Sequence, residues 1–327
     1  MISLKGRIVM RKNHILYIVV PCYNEEEVLE ETINQLKDKI ESLIQRKIIH
    51  KKSKVMFVND GSVDHTWDLI LDISHKDNHF TGISLTRNRG HQNALLAGLL
   101  TAKNYADVIV SMDADLQDDI NAMDEMLQKY YDGCDIVYGV RSERKKDTWF
   151  KRTTAELFYR FMKFMGVEII SNHADYRLTS KRVLENLADF QETNLFLRGM
   201  FPFIGYKSDI VYYKRKKRFA GKSKYPFSKM ISFALDGITS FSIKPIRMIL
   251  HLGVFIFFIS ILMIIYSIIR KLMGETIDGW TFIVCSIWLV SGMQMLSIGI
   301  IGEYIGKVYN ETKKRPRYII SRNLEEE

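Results

Sequence analysis

An acidic loop carries the most chemical information in this sequence. Asp113 and Asp115 are two residues apart and follow the apolar run 108–112. Because side chains alternate along a strand, we expect both carboxylates to point the same way. Hard oxygen ligands in this arrangement can hold Mg²⁺ or Mn²⁺, with a diphosphate filling the remaining coordination positions. A solvated acidic turn, with Asp119 as the N-cap of the next helix, is the alternative.

A second loop combines a turn with an acid. Asp60 and Gly61 follow the apolar run 54–58, and Asp64 precedes the next helical pattern. Glycine accepts the positive φ that such a turn needs, and Asp64 is expected to cap the helix. The Asp60 carboxylate would suit a hydrogen bond from a nucleobase imide or a ribose hydroxyl. A plain tight turn explains the same residues, and the spacing leaves both interpretations open.

The elements that must position these loops alternate between strands and helices. Apolar, β-branched runs predict strands at 15–20, 54–58, 80–85, 108–112 and 135–140. Apolar positions with a period of 3.6 predict helices at 25–44, 64–73, 91–103 and 119–131. This alternation predicts an α/β fold with a mostly parallel sheet, whose ligands bind at the carboxyl ends of the strands. Further along, we expect a helix at 149–165, a loop at 173–178 and a strand at 208–213.

Two apolar segments, 248–269 and 280–301, each run 22 residues without Asp, Glu, Lys or Arg. At about 1.5 Å per residue each can cross a hydrocarbon core of about 30 Å. Basic residues flank the pair on the side away from the short connecting loop, which places both termini in the cytoplasm. No secretory signal begins the chain, so we expect a multi-pass protein of the plasma membrane with a cytoplasmic head. A hairpin buried in a soluble core is the alternative.

A basic segment precedes these apolar segments. Residues 207–229 contain nine Lys and Arg against one Asp. Such charge attracts an anionic membrane surface, and the apolar positions of 225–246 are typical of an interfacial amphipathic helix. Because apolar spans follow directly, we expect membrane lipids and a lipid phosphate as partners of this segment, and no nucleic acid.

Composition excludes other classes of protein. Of the 327 residues 47% are hydrophobic, which rules out a disordered chain. The three cysteines, Cys22, Cys134 and Cys285, are too few for a disulfide framework and too far apart for a CxxC zinc site. No GxGxxG occurs, which excludes a nicotinamide-dependent dehydrogenase.

Taken in order, three segments resemble the signature of family 2 glycosyltransferases with the GT-A fold: 20–25 (VPCYNE), 59–62 (NDGS) and 113–117 (DADLQ). Further segments resemble the polyprenyl-phosphate glycosyltransferases of the dolichol-phosphate mannose synthase type, and among them the bacterial undecaprenyl-phosphate glucosyl and N-acetylglucosaminyl transferases. These segments are Arg141, 150–152 (FKR), 174–178 (ADYRL), 221–225 (GKSKY) and the two apolar spans. The resemblance covers residues 12–317.

The resemblance implies roles for individual residues. The residues that line the nucleotide pocket or bind the donor would be Pro21, Tyr23, Glu25, Asp60, Asp113, Lys222 and Lys224, with Asp60 reading the base. The metal would be held by Asp115 and Gln117 with Asp113, which also faces the sugar or ribose. The catalytic group would comprise Asp113, Asp175 and two arginines that bind the acceptor phosphate, Arg141 and Arg152. Since a phosphate monoester with a second pKa of about 6 is already ionised at neutral pH, we expect Asp175 to position rather than to accept a proton.

The expected function follows from these roles. A UDP-sugar would donate glucose or N-acetylglucosamine to undecaprenyl phosphate, with Mg²⁺ or Mn²⁺ as cofactor. The expected domains are a GT-A domain at 12–213, a basic interfacial segment at 214–246, a transmembrane hairpin at 247–306 and a cytoplasmic tail at 307–327. A GxxxG at Gly302 and Gly306 leads us to expect a homo-oligomer. A processive polysaccharide synthase and a non-catalytic nucleotide-sugar-binding scaffold are the alternatives.

Overall fold

The computed structural model describes residues 13–142, 173–192, 197–215, 242, 244–273 and 279–327. These residues fall into two compact units. The sheet unit contains 13–142, 173–192, 197–215 and 316–327, and the helical unit contains the described residues from 242 to 315.

The sheet unit consists of eight strands and six helices in the described part of the chain. The strands are β1 Leu16–Cys22, β2 Lys54–Asn59, β3 Phe80–Leu85, β4 Val108–Ser111, β5 Ile136–Arg141, β6 His173–Ser180, β7 Ser208–Tyr213 and β8 Ile320–Asn323. The helices are α1 Glu26–Gln45, α2 Thr66–Lys76, α3 His91–Ala102, α4 Ala122–Tyr131, α5 Lys181–Ala188 and α6 Leu197–Ile204.

The strands form one sheet in the order β7-β5-β6-β4-β1-β2-β3-β8. Strands β1 to β4 pair in parallel, as do β5 and β7, whereas β6 and β8 run antiparallel to their neighbours. The predicted α/β fold with a mostly parallel sheet is therefore confirmed. The carboxyl ends of β1, β2, β3 and β4 lie along one edge, which brings together the loops that follow them.

Both faces of the sheet are covered. Leu16, Ile18 and Val20 point into the main hydrophobic core, together with apolar side chains of α1 and α4. Helix α3 packs on the opposite face, against β1 and β2. Its Gly98 allows this approach, because a Cβ there would lie 2.5 Å from the side chain of Val19 and as close to that of Val58. Burial on two faces explains why these strands read as continuous apolar runs.

The predicted strands before residue 141 and the four predicted helices are confirmed to within a few residues, and the strand at 208–213 is confirmed. The predicted loop at 173–178 is wrong, because this segment is β6, between β4 and β5. Its polar residues concealed an alternating strand, in which Tyr176 and Leu178 face the main core. Asp119 is not the N-cap of α4, which begins at Ala122 after Asn121. The predicted helix at 149–165 lies outside the described residues.

The end of the chain returns to the sheet. Strand β8 pairs with β3, and Glu325 accepts hydrogen bonds from the Tyr17 hydroxyl at 2.9 Å and from Lys54 Nζ at 3.0 Å. The division that assigned 307–327 to a separate tail is therefore wrong for residues 316–327, which belong to the sheet unit. The other predicted domain boundaries stay predictions.

The helical unit contains two long helices, α7 Lys244–Leu272 and α8 Trp280–Thr312. Within it, the Tyr304 hydroxyl donates a hydrogen bond of 2.6 Å to the Ser242 carbonyl oxygen. Of the residues that the structure describes, one stretch, Leu289–Thr312, is long and apolar enough to cross a membrane by length and composition. The predicted pair of spans is not confirmed by this criterion.

Candidate active site

The acidic loop follows β4 at the carboxyl edge of the sheet. Thr32 Oγ of α1 donates a hydrogen bond of 2.9 Å to the Ala114 carbonyl oxygen, which ties the loop to the helix below it. Leu116 has a φ of 56°, in the left-handed region that leucine rarely adopts, and its side chain is buried. A backbone strained in this way persists only where the surrounding structure imposes it. The strain at Leu116 therefore indicates that the rest of the protein fixes the conformation of the acidic loop.

His91 connects two acids of this edge. Its Nε2 lies 3.5 Å from Asp113 Oδ1 and 3.5 Å from Asp175 Oδ2. Burial lowers the pKa of His91, but the hydrogen bond to Asp175 and the charges of both acids outweigh it and raise the pKa to about 9. The imidazole is therefore protonated at neutral pH. A positively charged His91 therefore lies between Asp113 of the acidic loop and Asp175 of β6.

The Asp175 carboxylate is almost fully buried and is paired with cations. Arg198 donates two hydrogen bonds to it, from Nε at 3.1 Å and from Nη2 at 3.0 Å. Arg177 Nη2 lies 3.9 Å from Asp175 Oδ1. Burial favours the neutral acid, but the charge of Arg198 and the hydrogen bonds from His91 and Arg198 outweigh it and hold the pKa of Asp175 well below its usual range. The Asp175 carboxylate is therefore ionised at neutral pH.

Asp118 and Arg141 form a second ion pair at this edge. Arg141 Nη2 lies 3.3 Å from Asp118 Oδ1, and Arg141 Nε donates a hydrogen bond of 3.2 Å to the Tyr213 hydroxyl. That hydroxyl in turn donates to Asp118 Oδ1. The predicted phosphate-binding Arg141 is thus held by an acid and a tyrosine, with about 29% of its side chain exposed. Its role with the acceptor stays a prediction.

Asp60 joins two loops of the edge. Its carboxylate is buried and accepts hydrogen bonds from the backbone N–H groups of Arg89 at 2.7 Å and Gly90 at 2.9 Å. The predicted positive φ of Gly61 is confirmed at 66°, and a Cβ there would lie 2.6 Å from the backbone of Arg87 and Asn88. Asp60 therefore fixes the loop after β2 against the loop after β3. Base recognition by Asp60 stays a prediction.

The loop after β1 is locked to the same region. Pro21 lies inside β1, where it is buried and paired with Val58 of β2. It therefore belongs to the sheet that holds the loop. Tyr23 is exposed, and the Glu25 backbone N–H donates a hydrogen bond of 2.9 Å to Thr66 Oγ. These positions are compatible with the predicted nucleotide pocket, which stays a prediction.

The donor set of the acidic loop fits a hard divalent cation. Asp113, Asp115 and Gln117 bring carboxylate and amide oxygens onto one short loop, and among the described residues the buried Asp118 Oδ2 has no hydrogen-bond partner. Burial, with added repulsion from Asp118, Asp175 and Asp115, raises the pKa of Asp113 to about 6, although His91 opposes this. Crowded negative charge of this kind is relieved by a cation. In the described part of the chain no three His, Cys, Asp or Glu side chains form a metal site.

Sequence reasoning found some of these residues and missed others. Arg152, Lys222 and Lys224 lie outside the described residues, so their roles stay predictions. The missed residues are His91, Asp118, Arg177 and Arg198. His91 carried one weak signal, since it is the first residue of a helix directly after Gly90 at the expected ligand edge. Arg177 stands two residues after Asp175 in the segment 174–178, but nothing in the sequence indicated its burial. Arg198 carried no signal, because its partner Asp175 is 23 residues away.

Comparison with known proteins shows the family of this α/β chain. Residues 17–188 match the model of glycosyl transferase family 2, and residues 244–308 match a family described as the GtrB C-terminal hairpin. The chain therefore belongs to glycosyl transferase family 2 and is a glycosyltransferase.

Individual relatives match along nearly the whole chain. An uncharacterized glycosyltransferase of Bacillus subtilis (strain 168), YkoT, is 54% identical over 95% of this chain and 92% of its own length. The SfII prophage-derived bactoprenol glucosyl transferase of Shigella flexneri is 37% identical over 94% of this chain and 97% of its own length. Among solved structures, glucosyl-3-phosphoglycerate synthase from Mycobacterium tuberculosis, in a complex with Mn²⁺, UDP-glucose and phosphoglyceric acid, has a TM-score of 0.45 at 17% identity, over 69% of this chain and 78% of that chain.

Proposed function

We propose that this protein is a membrane-bound inverting glycosyltransferase that moves glucose or N-acetylglucosamine from a UDP-sugar to undecaprenyl phosphate. One observation carries the proposal: the similarity to a bactoprenol glucosyl transferase extends over both the sheet unit and the C-terminal hairpin. Undecaprenyl phosphate is the phosphate ester of bactoprenol. The product would be a polyprenyl monophosphate sugar used to modify a cell-envelope glycan.

The donor would bind along the loops after β1, β2 and β4. The exposed Tyr23 and the loop held by Asp60 would line the nucleotide pocket, and Asp113 would face the sugar. Asp115 and Gln117, with Asp113, would hold Mg²⁺ or Mn²⁺. When bound, such an ion supplies Lewis-acid stabilisation of the charge that develops on the departing diphosphate.

The acceptor phosphate would attack the anomeric carbon from the face opposite the leaving group, which inverts the configuration. A phosphate monoester is largely dianionic at neutral pH, so its oxygen needs no strong general base. The pairing of Asp175 with Arg198 and His91 supports this, because a carboxylate that is held ionised by cations is a weak proton acceptor. Arg141 and Arg152 would neutralise the acceptor phosphate.

The membrane is where this acceptor resides. The apolar stretch Leu289–Thr312 and the matched hairpin at 244–308 support an integral membrane anchor, which would have two spans. The basic residues that flank these spans would place both termini in the cytoplasm. The basic segment at 207–229 would draw the sheet unit to the anionic leaflet.

The test is a transfer assay with purified full-length protein in detergent and undecaprenyl phosphate. A panel of labelled donors would comprise UDP-glucose, UDP-N-acetylglucosamine, UDP-galactose and GDP-mannose, followed by lipid extraction. We expect label in the lipid phase from one of the first two donors. The proposal fails if neither UDP-glucose nor UDP-N-acetylglucosamine labels the lipid phase, or if label enters a polymer instead.

A further inference from the structure

Two arginines and a histidine lie close to the Asp175 carboxylate. Arg198 binds both carboxylate oxygens, His91 Nε2 lies 3.5 Å from Oδ2, and Arg177 Nη2 lies 3.9 Å from Oδ1. Among the described residues, two guanidinium groups therefore lie close to this one carboxylate. A carboxylate gripped by a two-pronged arginine is well suited to fix the orientation of that arginine.

The two arginines differ in access to solvent. Arg177 is fully buried, and its guanidinium packs on the Phe201 ring with 3.9 Å from its central carbon to the ring centre. Within the part of the chain that the structure describes, none of its side-chain nitrogens has a hydrogen-bond partner. Arg177 is therefore an internal counter-ion of Asp175 that no substrate can reach. Arg198, in contrast, has about 33% of its side chain exposed.

Arg198 also lies near the acid expected to face the sugar. Asp175 and Asp113 are linked through His91, which is 3.5 Å from each. The exposed part of Arg198 therefore belongs to the same edge as the acidic loop. An arginine that is partly exposed at this edge, and whose direction its acid partner fixes, is suited to bind phosphate.

We propose that Arg198 is a phosphate-binding residue of the transfer site and that Asp175 is its positioning residue. The inference rests on the proposed function, in which both substrates carry phosphate: the donor as a diphosphate and the acceptor as a monophosphate. It assigns phosphate binding to Arg198, and the experiment shows whether that phosphate belongs to the donor or to the acceptor.

The first experiment measures KM and kcat for each substrate with purified full-length Arg198→Gln and Arg198→Lys. Arg198→Gln is expected to raise KM at least tenfold for one substrate. A rise for undecaprenyl phosphate identifies the acceptor phosphate as the ligand, and a rise for the UDP-sugar identifies the donor diphosphate. Arg198→Lys keeps the charge and should restore part of the loss. Unchanged KM values for both substrates in both variants would overturn the proposal.

A matched control exists at another position in the same unit. Arg182 donates two hydrogen bonds to the buried carboxylate of Asp135, which repeats the Arg198 pairing without any link to the acidic loop. Arg182→Gln should therefore leave both KM values within twofold. If it raises KM as much as Arg198→Gln does, the effect is a general loss of stability and the proposal is wrong.

A double-mutant cycle tests the positioning role. If Asp175 acts through Arg198, then Asp175→Asn raises the same KM, and the double variant Asp175→Asn/Arg198→Gln is no worse than Arg198→Gln alone. Independent, additive losses would overturn the positioning role. The proposed function fails separately, if the parent enzyme transfers no sugar to undecaprenyl phosphate; this inference fails alone if the parent is active and the Arg198 variants keep its KM values.

Discussion

At the scale of single residues, the site divides into an acid-rich part and a cation-rich part. The acidic loop after β4 crowds Asp113, Asp115 and Asp118, whereas Asp175 on β6 is surrounded by arginine and histidine. His91 stands at the boundary, 3.5 Å from an acid of each part. Under the proposed function, the acid-rich part would hold the metal ion that stabilises the departing diphosphate. The cation-rich part would attract phosphate.

Asp115→Ala should abolish transfer without unfolding the protein. The residue lies on a loop, so its loss removes a metal ligand rather than core packing, and we expect a fall in kcat on the order of a hundredfold or more. Transfer by the parent enzyme should stop with EDTA and return with Mg²⁺ or Mn²⁺. The control is Asp119→Ala, on the same loop, which should keep most of the activity. Chelator-insensitive transfer would contradict the metal assignment.

Sequence alone located the acids of the site better than the cations. Asp113 and Asp115 are two residues apart on one loop, so their joint role is visible in the sequence. Arg198 meets Asp175 across 23 residues, and His91 meets it across 84, which no local pattern encodes. Contacts of this kind depend on which strands become neighbours.

At the scale of elements, ion pairs connect helices α1 and α4 on one face of the sheet. Lys39 on α1 is buried and pairs with Asp124 on α4, which also pairs with Arg46. Burial raises the pKa of Asp124, but the hydrogen bonds from both cations outweigh it and lower the pKa. The ion pairs therefore stabilise the joint between α1 and α4 only while Asp124 is ionised.

Asp124→Asn should lower the free energy of unfolding at pH 7 by about 2 kcal/mol, because it leaves the buried Lys39 charge without its counter-ion. A lowered folded-state pKa gives stability that is complete above the unfolded value of about 3.9 and is lost as pH falls through the folded value. The difference in melting temperature between parent and variant should therefore shrink between pH 7 and pH 3.5. A difference that is the same at both pH values would contradict the ion-pair account.

The hydrogen bonds of Glu325, directly after β8, lead to a second prediction at this scale. Glu325→Gln removes the charge that accepts hydrogen bonds from Tyr17 and Lys54, and should cost about 1–2 kcal/mol of stability with little change in transfer. Glu327→Gln is the control, since its pairing with Arg322 is at the surface and should contribute little to stability. Equal melting temperatures for the two variants would show that β8 is not anchored through Glu325.

The elements that sequence reasoning missed share a cause. Both β6 and β8 run antiparallel to a mostly parallel sheet and are rich in polar residues, so neither reads as an apolar run. Residue Arg177 is fully buried in β6 because Asp175 and the Phe201 ring accept its charge, which strand patterns do not anticipate. The apolar parallel strands, in contrast, were predictable because burial on both faces selects their residues directly.

At the scale of the whole molecule, charge and hydrophobicity are separated along the chain. Nine of the basic residues lie within 207–229, directly before the apolar segments. One of them, Arg215, donates a hydrogen bond to Gln117 on the acidic loop, so this segment also reaches the expected metal site. A test of its membrane role must therefore leave Arg215 in place.

The triple variant Lys216→Gln, Lys217→Gln, Arg218→Gln should weaken use of undecaprenyl phosphate in vesicles that contain anionic lipid. Because each such charge is worth about 1 kcal/mol near an anionic surface, losing three of them should raise KM for the lipid acceptor by up to about a hundredfold while KM for the donor is unchanged. In neutral vesicles the parent and the variant should be alike. An equal rise in donor KM would assign the segment to the nucleotide pocket instead.

The most direct test of the account is the stoichiometry of transfer. Purified full-length protein would be incubated with its UDP-sugar, with and without undecaprenyl phosphate, and the UDP released would be compared with the sugar recovered in the lipid phase. The account predicts one UDP per lipid-linked sugar and almost no UDP release without the lipid phosphate. Release of UDP at the same rate in both conditions, with no sugar in the lipid phase, would contradict it.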